Sequence, residues 1–400
     1  MTGIVVIGGG QAGSSLVARL RAKGFDGPVT LICGEAVPPY QRPPLSKAYL
    51  LGEMAQERLY LRPERFYHEQ NIDLVLGQPV TAIDPAARQV MLGDRVLSYD
   101  QLALTTGSLP NRLPAVMGGD LAGVYSVRGL ADVDRMAKEF APGRRVLIVG
   151  GGYIGLEAAA VAAKRGVVVT LVEMAPRILQ RVAAPETSDF FRALHTGRGV
   201  RIIEGVGLER LTGDGRVSGA RFTDGREIDV DFVIVGVGIA PDTALAQAAG
   251  VRVDNGIVVD THGRTSEPAI WAAGDCAVFP RDGAMIRLES VQNAIDQAEQ
   301  VADNMLGADA PYDPKPWFWS DQYDVKLQIA GLNTGYDRVV VRNGDGVSHW
   351  YYGGERLLAV DAMNDPRAYM IGKRLIEAGK SPSPAVIADP ATDLKALLRP

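Results

Sequence analysis

A short β-branched run, residues 3–7, ends in Gly8-Gly9-Gly10-Gln11-Ala12-Gly13 and leads into a helical stretch, 11–23, and a second apolar run, 28–32. Few local patterns restrict a fold as tightly. In a strand–turn–helix with the spacing GxGxxG, Gly8 permits the tight turn, Gly10 lets a pyrophosphate approach the backbone, and Gly13 lets helix and strand pack closely. The helix N-terminus adds unpaired N–H groups and the positive end of its dipole. Glu35 follows Gly13 by 22 residues, just past the second strand, where an acid accepts ribose hydroxyls. The same pattern recurs 142 residues later: strand 145–149, Gly150-Gly151-Gly152-Tyr153-Ile154-Gly155, helix 153–164, strand 167–172 and then Glu173. A carboxylate at Glu173 accepts both ribose hydroxyls and repels a 2′-phosphate, which favours NADH over NADPH. Arg177 and Arg181, close by in sequence, are the residues that could soften that preference. No shorter period is visible, so the two fingerprints read as two dinucleotide-binding domains rather than a solenoid.

A third signal is Thr265 followed by Ile270-Trp271-Ala272-Ala273-Gly274-Asp275. An aspartate after a buried strand and a glycine sits where a helix can begin. Asp275 is either a simple N-cap or an acceptor for the hydroxyls of a flavin's ribityl chain; beside two fingerprints the second role is the stronger. From residue 311 the character changes. Trp317, Phe318, Trp319 and Tyr323 crowd together, and runs at 326–330, 338–342, 349–352 and 357–361 predict a small antiparallel sheet, followed by the loop Ser381-Pro382-Ser383-Pro384 and a short terminal helix. The expected fold class is α/β, with two Rossmann-like dinucleotide-binding domains and a C-terminal α+β domain. A chain of 400 residues is too long for one ordinary core and suits this division.

Composition mainly excludes. A net charge of −5 gives no reason to expect nucleic acid or an anionic membrane as partner. No apolar run reaches the roughly 18 residues needed to span a bilayer. The chain starts directly on a strand, which leaves no room for a signal peptide and makes a cytoplasmic location the default expectation. Its two cysteines, Cys33 and Cys276, lie far apart, so there is no CxxC or CxxxxC pair. No metal site is expected.

Several stretches carry a resemblance to a known family. They are Pro39-Tyr40-Gln41-Arg42-Pro43-Pro44-Leu45-Ser46-Lys47, Thr105-Thr106-Gly107-Ser108, the second fingerprint through Glu157, Gly236-Val237-Gly238-Ile239, Gly274-Asp275-Cys276 and Phe318-Trp319-Ser320-Asp321-Gln322-Tyr323. In these the chain resembles the FAD-dependent pyridine-nucleotide oxidoreductases, and within them the ferredoxin reductases of bacterial oxygenase systems. The likeness runs with specific motifs to about Gly331 and in general character beyond. It implies an FAD-binding domain in two parts, 1–112 and 243–318, interrupted by an NAD-binding domain, 113–242, and followed by a C-terminal α+β domain, 319–400.

The resemblance also implies roles. Arg42 would lie near the flavin's pyrophosphate and Lys47 near its isoalloxazine, though both also read as surface cations after a Pro-rich turn. Val80 would touch the adenine, Arg128 would reach the FAD domain, and Gly238 would line the cofactor site. Glu157 would hydrogen-bond the nicotinamide amide and pair with Lys47, the two forming the candidate catalytic residues. Val291 and Gln292 would meet the flavin ring, and Trp319 would border it on the partner-facing side, with a core aromatic of the third domain as the competing role. The disulfide reductases of the wider superfamily carry a CxxxxC pair after the first strand–helix–strand unit; residues 40–47 here hold no cysteine, so electrons must leave the flavin directly. The implied function is transfer of a hydride from NADH to FAD, then of single electrons to a 2Fe–2S ferredoxin serving a cytochrome P-450 type or ring-hydroxylating oxygenase. The rival readings are a rubredoxin reductase, an NADH oxidase or monodehydroascorbate-type reductase, and a flavoprotein like apoptosis-inducing factor, whose usual targeting or strongly basic segments this chain lacks.

Overall fold

The computed structural model describes residues 3–399, which fall into two compact units assembled from interleaved segments. One unit holds the chain up to Arg42 together with Ala55–Leu109 and Ile239–Lys315. The other holds Pro43–Met54, Pro110–Gly238 and the chain from Pro316 onward.

In the first unit the expected strand, helix and strand form at Gly3–Ile7, Gln11–Ala22 and Val29–Cys33. Gly3–Ile7 is central in a seven-stranded sheet, parallel to Val29–Cys33 on one side and to the second half of Arg95–Leu104 on the other. Ile72–Leu76 pairs beyond Val29–Cys33, and Ile270–Ala272 returns from far along the chain to pair in parallel with Leu102–Leu104. Every residue of Gly3–Ile7 is buried, as a parallel strand covered on both faces requires. One cover is the helix Gln11–Ala22 against the helix Val291–Met305, where Leu16, Val17 and Leu20 share a core with Ala298, Val301 and Ala302. Arg19 fixes that pairing from the rim with two 2.8 Å hydrogen bonds to Asp303. The strand order reverses at Gly3–Ile7, so a crevice opens at the carboxyl ends of this strand and Arg95–Leu104.

The second unit repeats the device. Arg145–Val149 lies between Val168–Glu173 and Phe232–Val235 in a five-stranded parallel sheet whose edges are Arg201–Glu204 and Val124–Ser126. A separate antiparallel sheet of Leu208–Asp214, Arg216–Phe222 and Glu227–Asp229 sits in this stretch of chain. The expected C-terminal sheet is present and larger than read, because the aromatic segment Trp317–Gln322 is itself a strand. The order is Trp317–Gln322, Val325–Gly331, Arg356–Met363, Val347–Gly353, Arg338–Asn343, antiparallel throughout. Buried Arg342 gathers the tail onto this sheet, donating to the carbonyls of Ile387, Asp389, Pro390 and Thr392.

A buried polar cluster joins the helix Pro185–Thr196 to that sheet. Thr187 Oγ1 donates to Asp361 Oδ2 at 2.8 Å and lies 2.7 Å from His349 Nδ1; the Tyr351 hydroxyl also donates to Asp361. Burial pushes the Asp361 carboxyl up to about 6 and the His349 imidazole down to about 4. These shifts act on stability with opposite sign. As pH rises from Asp361's ordinary 3.8 to about 6, the unfolded chain releases a proton that the folded one keeps, and stability falls. Between about 4 and 6.5 the unfolded chain holds a proton on His349 that the folded one lacks, and stability rises with pH. In the wild type the two slopes nearly cancel. Relative to wild type, a His349→Gln variant should therefore lose stability as pH goes from 4 to 6 and an Asp361→Asn variant should gain it, by roughly 3 kcal/mol at most over the window. Urea unfolding at pH 4.5 and 7 reads the difference; parallel wild-type and variant profiles would show that neither group titrates as described.

Candidate functional site: two strand-end crevices and a buried ion pair

At the first crevice Gly8 has φ +118°, and a Cβ there would lie 2.2 Å from the Thr105 carbonyl oxygen. A Cβ on Gly13 would lie 2.0 Å from the Gly8 carbonyl oxygen. The protein itself therefore demands both glycines. Gly10 is different: nothing lies within 4 Å of its missing Cβ. That open ground is at the N-terminus of the helix Gln11–Ala22, where backbone N–H groups gather, and it suits a pyrophosphate. Glu35, at the end of the adjacent strand, accepts from Arg42 Nη2 and from the Tyr40 hydroxyl, each at 2.6 Å. Arg42 also lies over the Tyr40 ring, 5.0 Å from its centroid.

The structure brings the third signal to the same edge. Gly274, φ +84°, places its Cα side 3.1 Å from the Ala12 methyl, measured from a Cβ built on it. Asp275 follows, accepting from Ser108 Oγ at 3.2 Å. It does not begin a helix, as the sequence suggested; it stands in a turn before the strand Ala277–Arg281. The turn is closed by Ala277 N donating to the Gly274 carbonyl at 2.9 Å, and the strand that follows pairs in parallel with Ile257–Val258. The helix starts later, where Ser290 caps Val291–Met305 by accepting from Asn293 N, so Val291 and Gln292 are its first two residues. Gln292 Nε2 donates to Asp296 at 2.6 Å. Val80 is half-buried in the loop after Ile72–Leu76, against the core of this unit.

The second crevice matches the first in detail. Gly150 has φ +105°, with its Cβ position 2.3 Å from the Gly236 carbonyl oxygen; that of Gly155 is 2.1 Å from the Gly150 carbonyl oxygen; Gly152 again has nothing within 4 Å. Glu173 sits at the rim with one carboxylate oxygen accepting from Gly151 N and the other from Ala175 N, both at 2.7 Å. Arg177 donates to Ser188 Oγ and the Gln180 carbonyl, and Arg181 is exposed. Gly238, φ +95°, accepts from Asn111 N at 3.0 Å, and Arg128 is half-buried just ahead of the helix Leu130–Ala137.

Also in the second unit, the helix Tyr153–Lys164 carries Glu157, 5 % exposed. Its Oε2 accepts from Lys47 Nζ at 2.7 Å and from Ser46 Oγ at 2.9 Å; its Oε1 accepts from Ser320 Oγ at 2.7 Å. Lys47 and Glu157, candidates separated by 110 residues, are thus in direct contact. Ser46 and Ser320 stood inside the family-like motifs, but nothing in the sequence marked their partner. Trp319 is half-buried, its ring centroid 5.5 Å from that of Trp317 and 6.4 Å from that of Phe318.

Residues 2–298 match the family described as pyridine nucleotide-disulphide oxidoreductase, and residues 317–398 match the domain described as Reductase C-terminal. The chain belongs to the pyridine nucleotide-disulphide oxidoreductases. It is 41 % identical to putidaredoxin reductase CamA of Pseudomonas putida over 99 % of this chain and 96 % of that one. It is 43 % identical to a ferredoxin–NAD(P)(+) reductase of a Sphingomonas species over 99 % and 98 %. Among solved structures it matches a covalent putidaredoxin reductase–putidaredoxin complex with a TM-score of 0.95 at 40 % identity, covering 99 % of this chain and 98 % of that one.

As a member of this family the chain is an oxidoreductase that uses FAD and NAD(H). It lacks the thiol pair that the family's name implies. Cys33 and Cys276 are buried free thiols; burial pushes Cys33 up to about 12 and raises Cys276 as well. Neither thiol is set up as a nucleophile. Among the described residues no group of three or more His, Cys, Asp or Glu side chains could hold a metal ion, and no helix is long and apolar enough to cross a membrane.

The two kinds of glycine should respond differently to substitution. Gly10→Ala should leave the apoprotein's unfolding midpoint within about 1 °C of wild type yet purify with little FAD. Gly13→Ala should lower the apoprotein midpoint by several degrees, as expected of overpacking costing about 1–3 kcal/mol. Calorimetry of apoprotein, with the flavin-to-protein absorbance ratio, separates the cases; full FAD occupancy in Gly10→Ala would remove the pyrophosphate from that ground.

Proposed function

We propose that the chain is an NADH-dependent ferredoxin reductase that passes electrons through FAD to a 2Fe–2S ferredoxin serving an oxygenase. One observation carries this reading: two dinucleotide crevices stand in a protein whose thiols are both buried and unpaired. With no dithiol to receive electrons, an external one-electron carrier is the fitting acceptor. The names of the relatives, a putidaredoxin reductase and a ferredoxin–NAD(P)(+) reductase, point the same way.

In this reading residues 1–112 and 243–318 form the FAD-binding part, 113–242 the NAD-binding part and 319–400 the C-terminal domain. Bound FAD supplies the chemistry that accepts two electrons from NADH and yields them singly. Gly8, Gly10 and Gly13 hold its pyrophosphate at a helix N-terminus, with Glu35 for the ribose hydroxyls and Arg42 for phosphate charge. Asp275 accepts from the ribityl chain, Val80 covers the adenine, and Val291 and Gln292 present the start of a helix to the ring. Trp319 borders the ring on the partner's side. Gly150, Gly152 and Gly155 repeat the cradle for NADH, with Gly238 and Arg128 beside it. Lys47 brings a cation toward the side where negative charge gathers on reduction, and Glu157 balances it while accepting from the nicotinamide amide.

Glu173 sets the coenzyme. Two backbone N–H groups hold its carboxylate in place, and Arg177 is engaged with Ser188 and Gln180. Wild type should therefore prefer NADH. Glu173→Ala should lower kcat/KM for NADH about 10- to 100-fold, the equivalent of roughly 1.5–3 kcal/mol of charge-assisted hydrogen bonding, and narrow the gap to NADPH. Equal use of both coenzymes by wild type would refute the assignment.

The function itself is tested with cytochrome c as terminal acceptor. Reduction by NADH should be slow with this enzyme alone, rise steeply on adding an acidic 2Fe–2S ferredoxin, and weaken as salt screens their attraction beyond about 8 Å. Oxygen uptake without a carrier that matched the ferredoxin-supported rate would replace this reading with an oxidase.

A further inference from the structure

The strand Trp317–Gln322 divides its side chains between two faces, and one face carries Phe318, Ser320 and Gln322. Each meets a different residue of the stretch 153–195. The Phe318 ring centroid is 4.9 Å from that of Tyr153, Ser320 Oγ is 2.7 Å from Glu157 Oε1, and Gln322 Oε1 is 2.8 Å from His195 Nε2. Gln322 Nε2 also reaches back to Ser320 Oγ at 3.2 Å. Ser320, Gln322 and His195 are all completely buried.

Donors and acceptors along this row allow one assignment. An ionised carboxylate only accepts, so the single Ser320 proton points at Glu157. Ser320 Oγ must then accept, and Gln322 supplies the donor with its amide nitrogen. That turns the Gln322 carbonyl oxygen to His195, which must donate from Nε2. Burial lowers the imidazole's affinity for a proton, so His195 is neutral and its Nδ1 is an acceptor, 3.4 Å from the Tyr323 hydroxyl. The other charges facing this row are Lys47 on the Glu157 side and Arg198 on the His195 side, the latter paired with Asp324 and stacked 4.8 Å over Tyr323.

We propose that Ser320, Gln322 and His195 are positioning residues for Glu157, a one-directional hydrogen-bond row that fixes the carboxylate's orientation against Lys47. The C-terminal segment thereby acts on the nicotinamide side of the reaction as well as on the partner's side. This consequence rests on the placement of Glu157 proposed above, whereas the row itself does not.

Its polarity gives a test distinct from turnover. In Glu157→Gln the new amide keeps its oxygen toward the Lys47 and Ser46 donors and turns its NH2 to Ser320. Every bond in the row then reverses: Ser320 donates to the Gln322 oxygen, the Gln322 NH2 faces His195, and the imidazole must carry its proton on Nδ1. The protein has four histidines, so long-range 1H–15N spectra of 15N-histidine-labelled holoenzyme, with His195→Gln to assign the signal, read the tautomer directly. The expected result is Nε2–H in wild type and Nδ1–H in Glu157→Gln. In parallel, Ser320→Ala should slow flavin reduction by NADH about 5- to 30-fold in stopped flow and leave the later electron transfer to ferredoxin unchanged, with Ser320→Thr restoring the rate. Should Ser320→Ala fail to fold, Ser320→Cys, a weak donor of similar size, takes its place. The same tautomer in wild type and Glu157→Gln overturns the row whatever the rates. A switched tautomer with an unchanged reduction rate in the Ser320 variants overturns the positioning role, while wild-type reduction by NADH and ferredoxin-dependent turnover decide the function separately.

Discussion

In both crevices a strand-end carbonyl lies hard against the first turn of the next helix, and most of what each crevice can do follows from that contact. Where a Cβ on Gly13 or Gly155 would come within 2.1 Å of the Gly8 or Gly150 oxygen, a side chain of any kind would push the helix away. Glycine lets the helix start in contact with the sheet and aims its free N–H groups across the crevice. The two copies then diverge at their acids. Glu35 is tied to side chains, Arg42 and Tyr40, which can exchange partners when a ligand arrives. Glu173 is tied to backbone N–H groups and has no such freedom. The first crevice has an acid held by movable side chains, whereas the second presents a carboxylate fixed by the backbone.

A second constraint is the cost of burying Glu157. A carboxylate this far from water is tolerable only if nearly every lone pair is met. The partners come from two pieces of chain far from the helix that bears it: Ser46 and Lys47 in one, Ser320 in the other. Removing any one leaves a buried charge short of a partner. The charge therefore binds the excursion Pro43–Met54 and the C-terminal sheet to the helix Tyr153–Lys164 more specifically than apolar packing would.

The sequence was informative where the chemistry is local. Turn and helix start lie within one strand–helix–strand unit, so both glycine loops and the strands and helices around them were legible by spacing alone. The Lys47–Glu157 pair came from likeness, since no rule of spacing joins residues 110 apart. The helix start expected at Asp275 misled because a glycine–aspartate after a strand fits a helix start and a tight turn equally well, and the bond from Ala277 N to the Gly274 carbonyl makes it the turn. The segment 317–323 misled in another way. Three successive aromatics conceal a two-residue period, and Ser320 and Gln322, which look like loop residues, are buried because their partners Glu157 and His195 arrive from elsewhere. Arg342 hid for the same reason: a lone arginine in a strand gives no hint that four carbonyls of the tail converge on it.

The interleaving of the segments has a consequence in time. The helix Gln11–Ala22 leaves the ribosome well before its cover, Val291–Met305, and before the strand Ile270–Ala272. At synthesis rates of about 5–20 residues per second, Leu16, Val17 and Leu20 wait roughly 15–60 s for the residues that bury them. Through that interval the glycine loop can form its turn but not its finished crevice, because Gly274 has yet to be made. A nascent chain of this layout presents an apolar stripe to chaperones long before the crevice beside its glycine loop is complete, which requires residues out to about 305.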